Sequence, residues 1–133
     1  MLWYYNKNEK ARDEIVFGEY KPKEYMGGIR RFEDLPVDKL QELADLEYID
    51  LDSQQNDAPT AQQFLDFMRK YPEYKACGYV VSVKRDDYRM IVDGLNKSEN
   101  GYETLDELDD FYELFRKANK LFISSQSMKV WFD

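Results

Sequence analysis

In the stretch YIDLDSQQND, residues 48–57, Asp50, Asp52 and Asp57 sit among amide side chains, a composition that could ligate a divalent cation. Asp50, Asp52 and Gln54 imitate positions 1, 3 and 5 of an EF-hand loop, but position 6 is Gln55 instead of Gly and position 12 is Ala61 instead of Glu. The sharp turn and the bidentate carboxylate are both missing, so a calcium loop of that type is excluded. A different divalent site on the three aspartates is the remaining metal reading. The simpler one is a polar loop leading into a helix cap at Thr60, and no metal or cofactor is expected.

Other chemistry is restricted by what the chain lacks. It has no His and one Cys, so it cannot by itself build a Ser-His or Cys-His relay, a His-containing zinc site or a thiolate cluster. Intrinsic catalysis would have to use carboxylates, Lys, Tyr or the thiol. Paired carboxylates do acid and base work only where burial or a close like charge raises one pKa, and the sequence marks no such cleft. Cys77, in KACGYVV, alternates with Tyr79, Val81 and Val83 on one face of a strand, where a packed, inert thiol is expected. Arg30 and Arg31 follow Gly27 and Gly28, an arrangement that could hold an anion and that reads more simply as a turn and a solvated basic edge.

The charge distribution is more informative. The net charge is −8, and residues 33–57 hold nine acids (Glu33, Asp34, Asp38, Glu42, Asp45, Glu47, Asp50, Asp52, Asp57) against one base, Lys39. That segment alone therefore carries −8, and the rest of the chain cancels. Such asymmetry indicates a directed electrostatic surface. Eleven Tyr, eight Phe and two Trp could stack on unpaired bases, but the charge opposes phosphate. Direct nucleic-acid binding is not expected. Trp3 and Trp131 are expected to cover edges of the core.

The elements that must position these residues are read from periodicity. LWYY and EIVFGEY are aromatic and β-branched, which predicts a hairpin at the start. EDLPVDKLQELADLE predicts a helix, with Asp34 near the N-cap and Asp38, Glu42 and Asp45 at i, i+4 and i+7 opposite the apolar stripe. YIDLD alternates and predicts a short strand with Ile49 and Leu51 inward and Asp50 and Asp52 outward. Thr60 with Gln63 forms a capping box for a second helix that stops before Pro72. KACGYVVSVKRDDYRMIVDGL reads as a long central hairpin. Thr104 with Glu107 caps a third helix through about Lys120, with Phe122 on its apolar side, and ISSQSMKVWFD supplies a turn and a last strand.

The expectation is one α+β domain over residues 1–133, a mostly antiparallel sheet with about three helices packed on it, in the order ββαβαββαβ. The start turns polar after five residues and lacks the apolar run of a secretory leader, no run reaches membrane-spanning length, and a lone Cys suits a reducing compartment, so a cytoplasmic protein is expected. The leading functional expectation is a non-enzymatic protein-binding or regulatory domain, inhibitor-like or immunity-like, that engages a basic protein through Asp38, Glu42, Asp45, Asp50, Asp52 and Asp57. The alternative is a small-molecule-binding protein or enzyme with an aromatic-lined pocket and carboxylate or Tyr chemistry. A homodimer through an exposed edge of the first or last strand is a further possibility.

Overall fold

The computed structural model of the chain describes residues 4–132. Asn8 begins the first helix, its side-chain carbonyl accepting the Ala11 amide, and α1 spans Glu9–Phe17 until Gly18 closes it at φ 81°. A single 3₁₀ turn, Pro22–Glu24, precedes β1, Ile29–Leu35, and Gly27 and Gly28 make the tight entry at positive φ. Then come α2, Val37–Asp45; α3, Ala61–Lys70; β2, Lys75–Val81; and β3, Met90–Lys97. The chain ends with α4, Leu105–Phe115; β4, Lys120–Ile123; and β5, Met128–Trp131.

The class is α+β, with all four strand pairings antiparallel and the sheet order β1-β2-β3-β5-β4. One face of the sheet carries Phe32, Leu35, Ala76, Val80, Met90, Val92, Leu95, Met128 and Val130 into the core. The helices answer with Leu40 and Leu43 from α2, Phe64, Leu65, Phe67 and Met68 from α3, and Phe111 and Phe115 from α4. Phe67 is the hub of the aromatic packing, with its ring centroid 5.0 Å from Tyr74 and 5.2 Å from Phe115.

The order differs from expectation in four places, each for a physical reason. The initial hairpin is replaced by α1: Leu2 and Trp3 lie outside the described residues, Tyr4 and Tyr5 pair with no strand, and Ile15, Val16 and Phe17 are helical. The buried residues of α1 are Glu9, Arg12 and Asp13, so what looks like a solvated polar loop is the packed side of a helix. The expected helix over EDLPVDK starts later, because Glu33, Asp34 and Leu35 finish β1; Asp34 sits at φ 56° in an irregular stretch of that strand, and Pro36 is the N-cap. YIDLD is a turn, not a strand. Tyr48 and Ile49 are both buried, and the Asp50 carboxylate accepts the Asp52 amide at 3.0 Å while its carbonyl accepts the Ser53 amide at 2.9 Å.

The fourth difference is at the end of α4, which stops at Phe115 so that Lys120 and Phe122 belong to an added strand, β4. Ser124 closes the β4–β5 hairpin, its hydroxyl accepting the Gln126 and Ser127 amides at 3.1 and 3.0 Å. The last strand, β5, is therefore interior, and the sheet edges are β1 and β4. The Thr60–Gln63 capping box, the β2–β3 hairpin and the Thr104 cap form as the sequence predicts. Among the described residues, no helix is long and apolar enough to cross a membrane.

Candidate functional site

The acidic surface is built on α2 and the irregular segment behind it. Leu40 and Leu43 anchor α2 in the core, so the helical period turns Asp38, Glu42 and Asp45 to solvent, where all three are exposed. After the helix, Tyr48 and Ile49 are buried, and Tyr48 donates its hydroxyl to the Asn8 carbonyl at 2.9 Å. This pins the loop while Asp52 and Asp57 remain exposed and Asp50 half-buried. Leu46, 45% exposed, is an apolar spot among the acids.

None of the nine acids of residues 33–57 takes part in an ion pair among the described residues. Elsewhere Glu9, Asp13, Glu24, Asp66, Glu73, Asp87, Asp93, Glu103, Glu107 and Asp110 all find a cation. The polar contacts inside the acidic surface are local: Gln41 donates to Asp45 at 2.8 Å, and Asp50 closes its own turn. Among the described residues no group of three acidic or thiol side chains is placed to hold a metal ion, so the geometry does not gather Asp50, Asp52 and Asp57 into a cation site.

Two ionic clusters are buried, and the sequence does not mark either. In the first, Arg12 donates to Asp13 at 3.0 Å, to the Val81 carbonyl at 3.1 Å and to the Tyr25 hydroxyl at 2.8 Å, while Tyr25 donates to Asp13. Glu9 accepts the Val83 amide at 2.9 Å and the Tyr20 hydroxyl at 2.7 Å. Burial pushes the Asp13 carboxyl above the ordinary range despite Tyr25 and Arg12. In the second cluster, Lys97 donates to Glu107 at 3.1 Å and lies 3.4 Å from Glu73 and 3.6 Å from Glu103, and Tyr74 donates to Glu107 at 2.7 Å. Burial opposes the Lys97 charge, but Glu107 and Glu73 outweigh it and hold the amine above its usual pKa. A protonated lysine held by carboxylates is not a nucleophile. These clusters fasten α1 to the sheet and α4 to β3.

The other sequence candidates are accounted for as follows. Arg31 makes a two-pronged bond to buried Asp93 at 3.0 and 3.1 Å, and Arg30 pairs with Glu24 at 2.6 Å while stacking over Phe17. Both guanidinium groups are thus engaged by acids and do not form a shared anion site with the glycines. Cys77 is buried on the sheet face opposite the core, and burial pushes its thiol up to about 12, which leaves negligible thiolate at neutral pH. Of its expected companions, Val81 is buried, Tyr79 half-buried and Val83 exposed beyond the end of β2. Trp131 is half-buried on the face away from the core, and Trp3 lies outside the described residues.

The described surface holds open clefts, some lined mainly by polar groups and others mainly by apolar ones. One of about 330 Å³ is lined by Glu73, Lys75, Lys97, Ser98, Glu99 and Asn100. The aromatics gather instead in the core, as Phe64, Phe67, Tyr74, Phe111, Phe115 and Phe132. Comparison with known protein families, with curated proteins and with solved structures gives no match.

Proposed function

We propose that the protein is a non-enzymatic cytoplasmic binding domain that presents α2 and the loop behind it to a basic protein, as an inhibitor or immunity protein would. The observation that supports this reading is that no acid in residues 33–57 has an ion-pair partner among the described residues, in a molecule that pairs many of its other acids with cations. Charges without an internal counter-charge are available to act on what lies outside, by steering an oppositely charged partner and fixing its register. Asp38, Glu42 and Asp45 form the rigid helical part of the surface, and Asp50, Asp52 and Asp57 the loop part. An aromatic-lined pocket with carboxylate or Tyr chemistry is disfavoured, because the main aromatic cluster is packed in the core and the buried carboxylates are bonded to cations or hydroxyls.

The test is capture from native lysate with the wild-type chain and with a variant in which Asp38, Glu42, Asp45, Asp50 and Asp52 become the corresponding amides. A basic protein held at low salt, released at high salt and bound at least about tenfold more weakly by the variant, with a flatter salt dependence, is the expected result. Equal affinity of the two chains for the captured partner rejects the reading.

A further inference from the structure

With the core on one face of the sheet, the other face is left without a helix, and its composition differs from the rest of the molecule. The strand registers place two rows side by side across it. One row runs Lys75, Asn96, Lys129, Phe122, and the next runs Cys77, Gly94, Trp131, Lys120. At the β4–β5 end this makes a square in which Phe122 and Trp131 occupy one diagonal and Lys129 and Lys120 the other. Diagonal neighbours on adjacent strands lie about 7–8 Å apart, within reach of long side chains. Phe122 is 62% exposed, and the Lys120 ammonium lies 5.5 Å from the centre of the Trp131 ring.

Gly94 shapes the middle of this face. A Cβ there would overlap the Val130 carbonyl oxygen and stand 2.8 Å from the Cys77 sulfur and 3.3 Å from the Trp131 Cα, so only glycine lets β3 lie this close to β5 and to the Cys77 side chain. Arg31, Glu33, Cys77, Lys120, Lys129 and Trp131 together line a depression on this face. Lys75, Lys120 and Lys129 have no ion-pair partner among the described residues, and Asp93 is neutralised by Arg31. Glu33 is the one acid of the depression, so the face is net positive in a chain of net charge −8. The acids of α2 belong to the helical layer on the opposite side.

We infer that this face is a platform for single-stranded nucleic acid, with Phe122 and Trp131 stacking on neighbouring bases and Lys75, Lys120 and Lys129 contacting the phosphates. Aromatic rings interleaved with cations on an open sheet supply both requirements of single-strand binding, a stacking surface and a positive track. Of the acids that speak against phosphate, Glu33 and Asp34 border this face, while Asp38, Glu42 and Asp45 stand on α2 in the other layer. Lys120 swings from the ring to the backbone of the bound strand, which uncovers the indole for a base. Phe122, as an exposed aromatic on an edge strand, is the first contact.

The test is fluorescence anisotropy of a labelled twelve-nucleotide oligothymidylate, and of its RNA counterpart, titrated with the full chain. Binding in the micromolar range at about 20 mM salt is expected, with a log–log salt slope near −2, since about 0.7 counterion is released per neutralised phosphate of a single strand. Phe122→Ala should weaken binding roughly fivefold to a hundredfold, the range for a lost base–aromatic stack. Lys120→Glu with Lys129→Glu should abolish it, and Asp38→Asn with Glu42→Gln should leave it unchanged or tighter. Circular dichroism is the check that these surface variants fold. The inference is overturned by no anisotropy change at about 100 μM protein, by Phe122→Ala and Lys129→Glu binding like the wild type, or by equal affinity for a duplex of the same length. Sedimentation showing a low-salt oligomer that Lys129→Glu dissolves would overturn it too, by assigning the face to the acidic surface of a second copy.

Discussion

Glu107 shows how one side chain can be read correctly and still be incomplete. Its amide donates to the Thr104 hydroxyl at 3.1 Å, as the capping signal requires, but its carboxylate accepts from the Glu103 amide, Tyr74 and Lys97 instead of the cap residue. The local pattern is visible in the sequence; partners contributed from β3 and from the segment before β2 are not, because only the tertiary structure brings them there. Burial works to raise the Glu107 pKa, but the bonds from Tyr74, the Glu103 amide and Lys97 outweigh it and set it below the ordinary carboxylate range. A depressed folded-state pKa contributes stability above the unfolded value, and that stability is lost as pH falls through the folded value. Glu107→Gln should therefore cost about 2–3 kcal/mol at pH 7, less than a fully orphaned buried charge because Glu73 and Glu103 still face Lys97. Urea unfolding across the acid range checks this: the gap between wild type and variant should narrow as pH falls below the ordinary carboxylate range, and a gap that persists unchanged in acid would exclude the mechanism.

Among the elements, α2, α3, the central hairpin and the start of α4 were legible because each carries a local signal, either a helical apolar stripe, a cap or alternation around a turn. The first helix was not, because its inward side is Glu9, Arg12 and Asp13, and hydrophobic periodicity cannot report a polar interface. YIDLD misled in the opposite way, since its alternation is real but Asp50 bonds its own turn and leaves no strand partner. The α1 interface therefore depends on Arg12, which is fully buried and joins Asp13, Tyr25 and Val81. Arg12→Met should cost about 3–5 kcal/mol at pH 7, because Asp13 is left buried without its counter-charge. The Asp13 carboxyl, already raised by burial, then rises further. A raised carboxyl pKa means that the folded state binds the extra proton, so the variant should lose stability as pH increases through that value and recover in mild acid. Adding Asp13→Asn should restore part of the loss, and native-state hydrogen exchange should localise it to α1. A single variant within about 1 kcal/mol of wild type would show that the cluster does not hold the helix.

At the scale of the whole molecule, charge is unevenly divided between the layers: Asp38, Glu42 and Asp45 stand unpaired on α2, and Lys75, Lys120 and Lys129 stand unpaired on the open sheet face beside Glu33. Half of this separation could be read directly: Asp38, Glu42 and Asp45 are close in sequence and share a helical face. The other half could not, because Lys75, Lys120 and Lys129 come from three strands and meet only through the register of the sheet. Like charges at i, i+3 and i, i+4 on one helix repel, at about 0.2–0.5 kcal/mol per pair, and α2 contains Asp38 with Glu42 and Glu42 with Asp45. On the proposed reading, this acidic surface is maintained for a partner against the stability of the domain that carries it. Neutralising Asp38, Glu42 and Asp45 should raise stability by about 0.5–1 kcal/mol in low salt. The gain should shrink in about 0.5 M NaCl, where screening relieves the wild type of the same repulsion. Urea is the denaturant to use, since guanidinium would itself screen the charges. If the neutralised chain is less stable than the wild type at low salt, these acids are engaged in stabilising the fold, and the surface loses its claim to be reserved for an external partner.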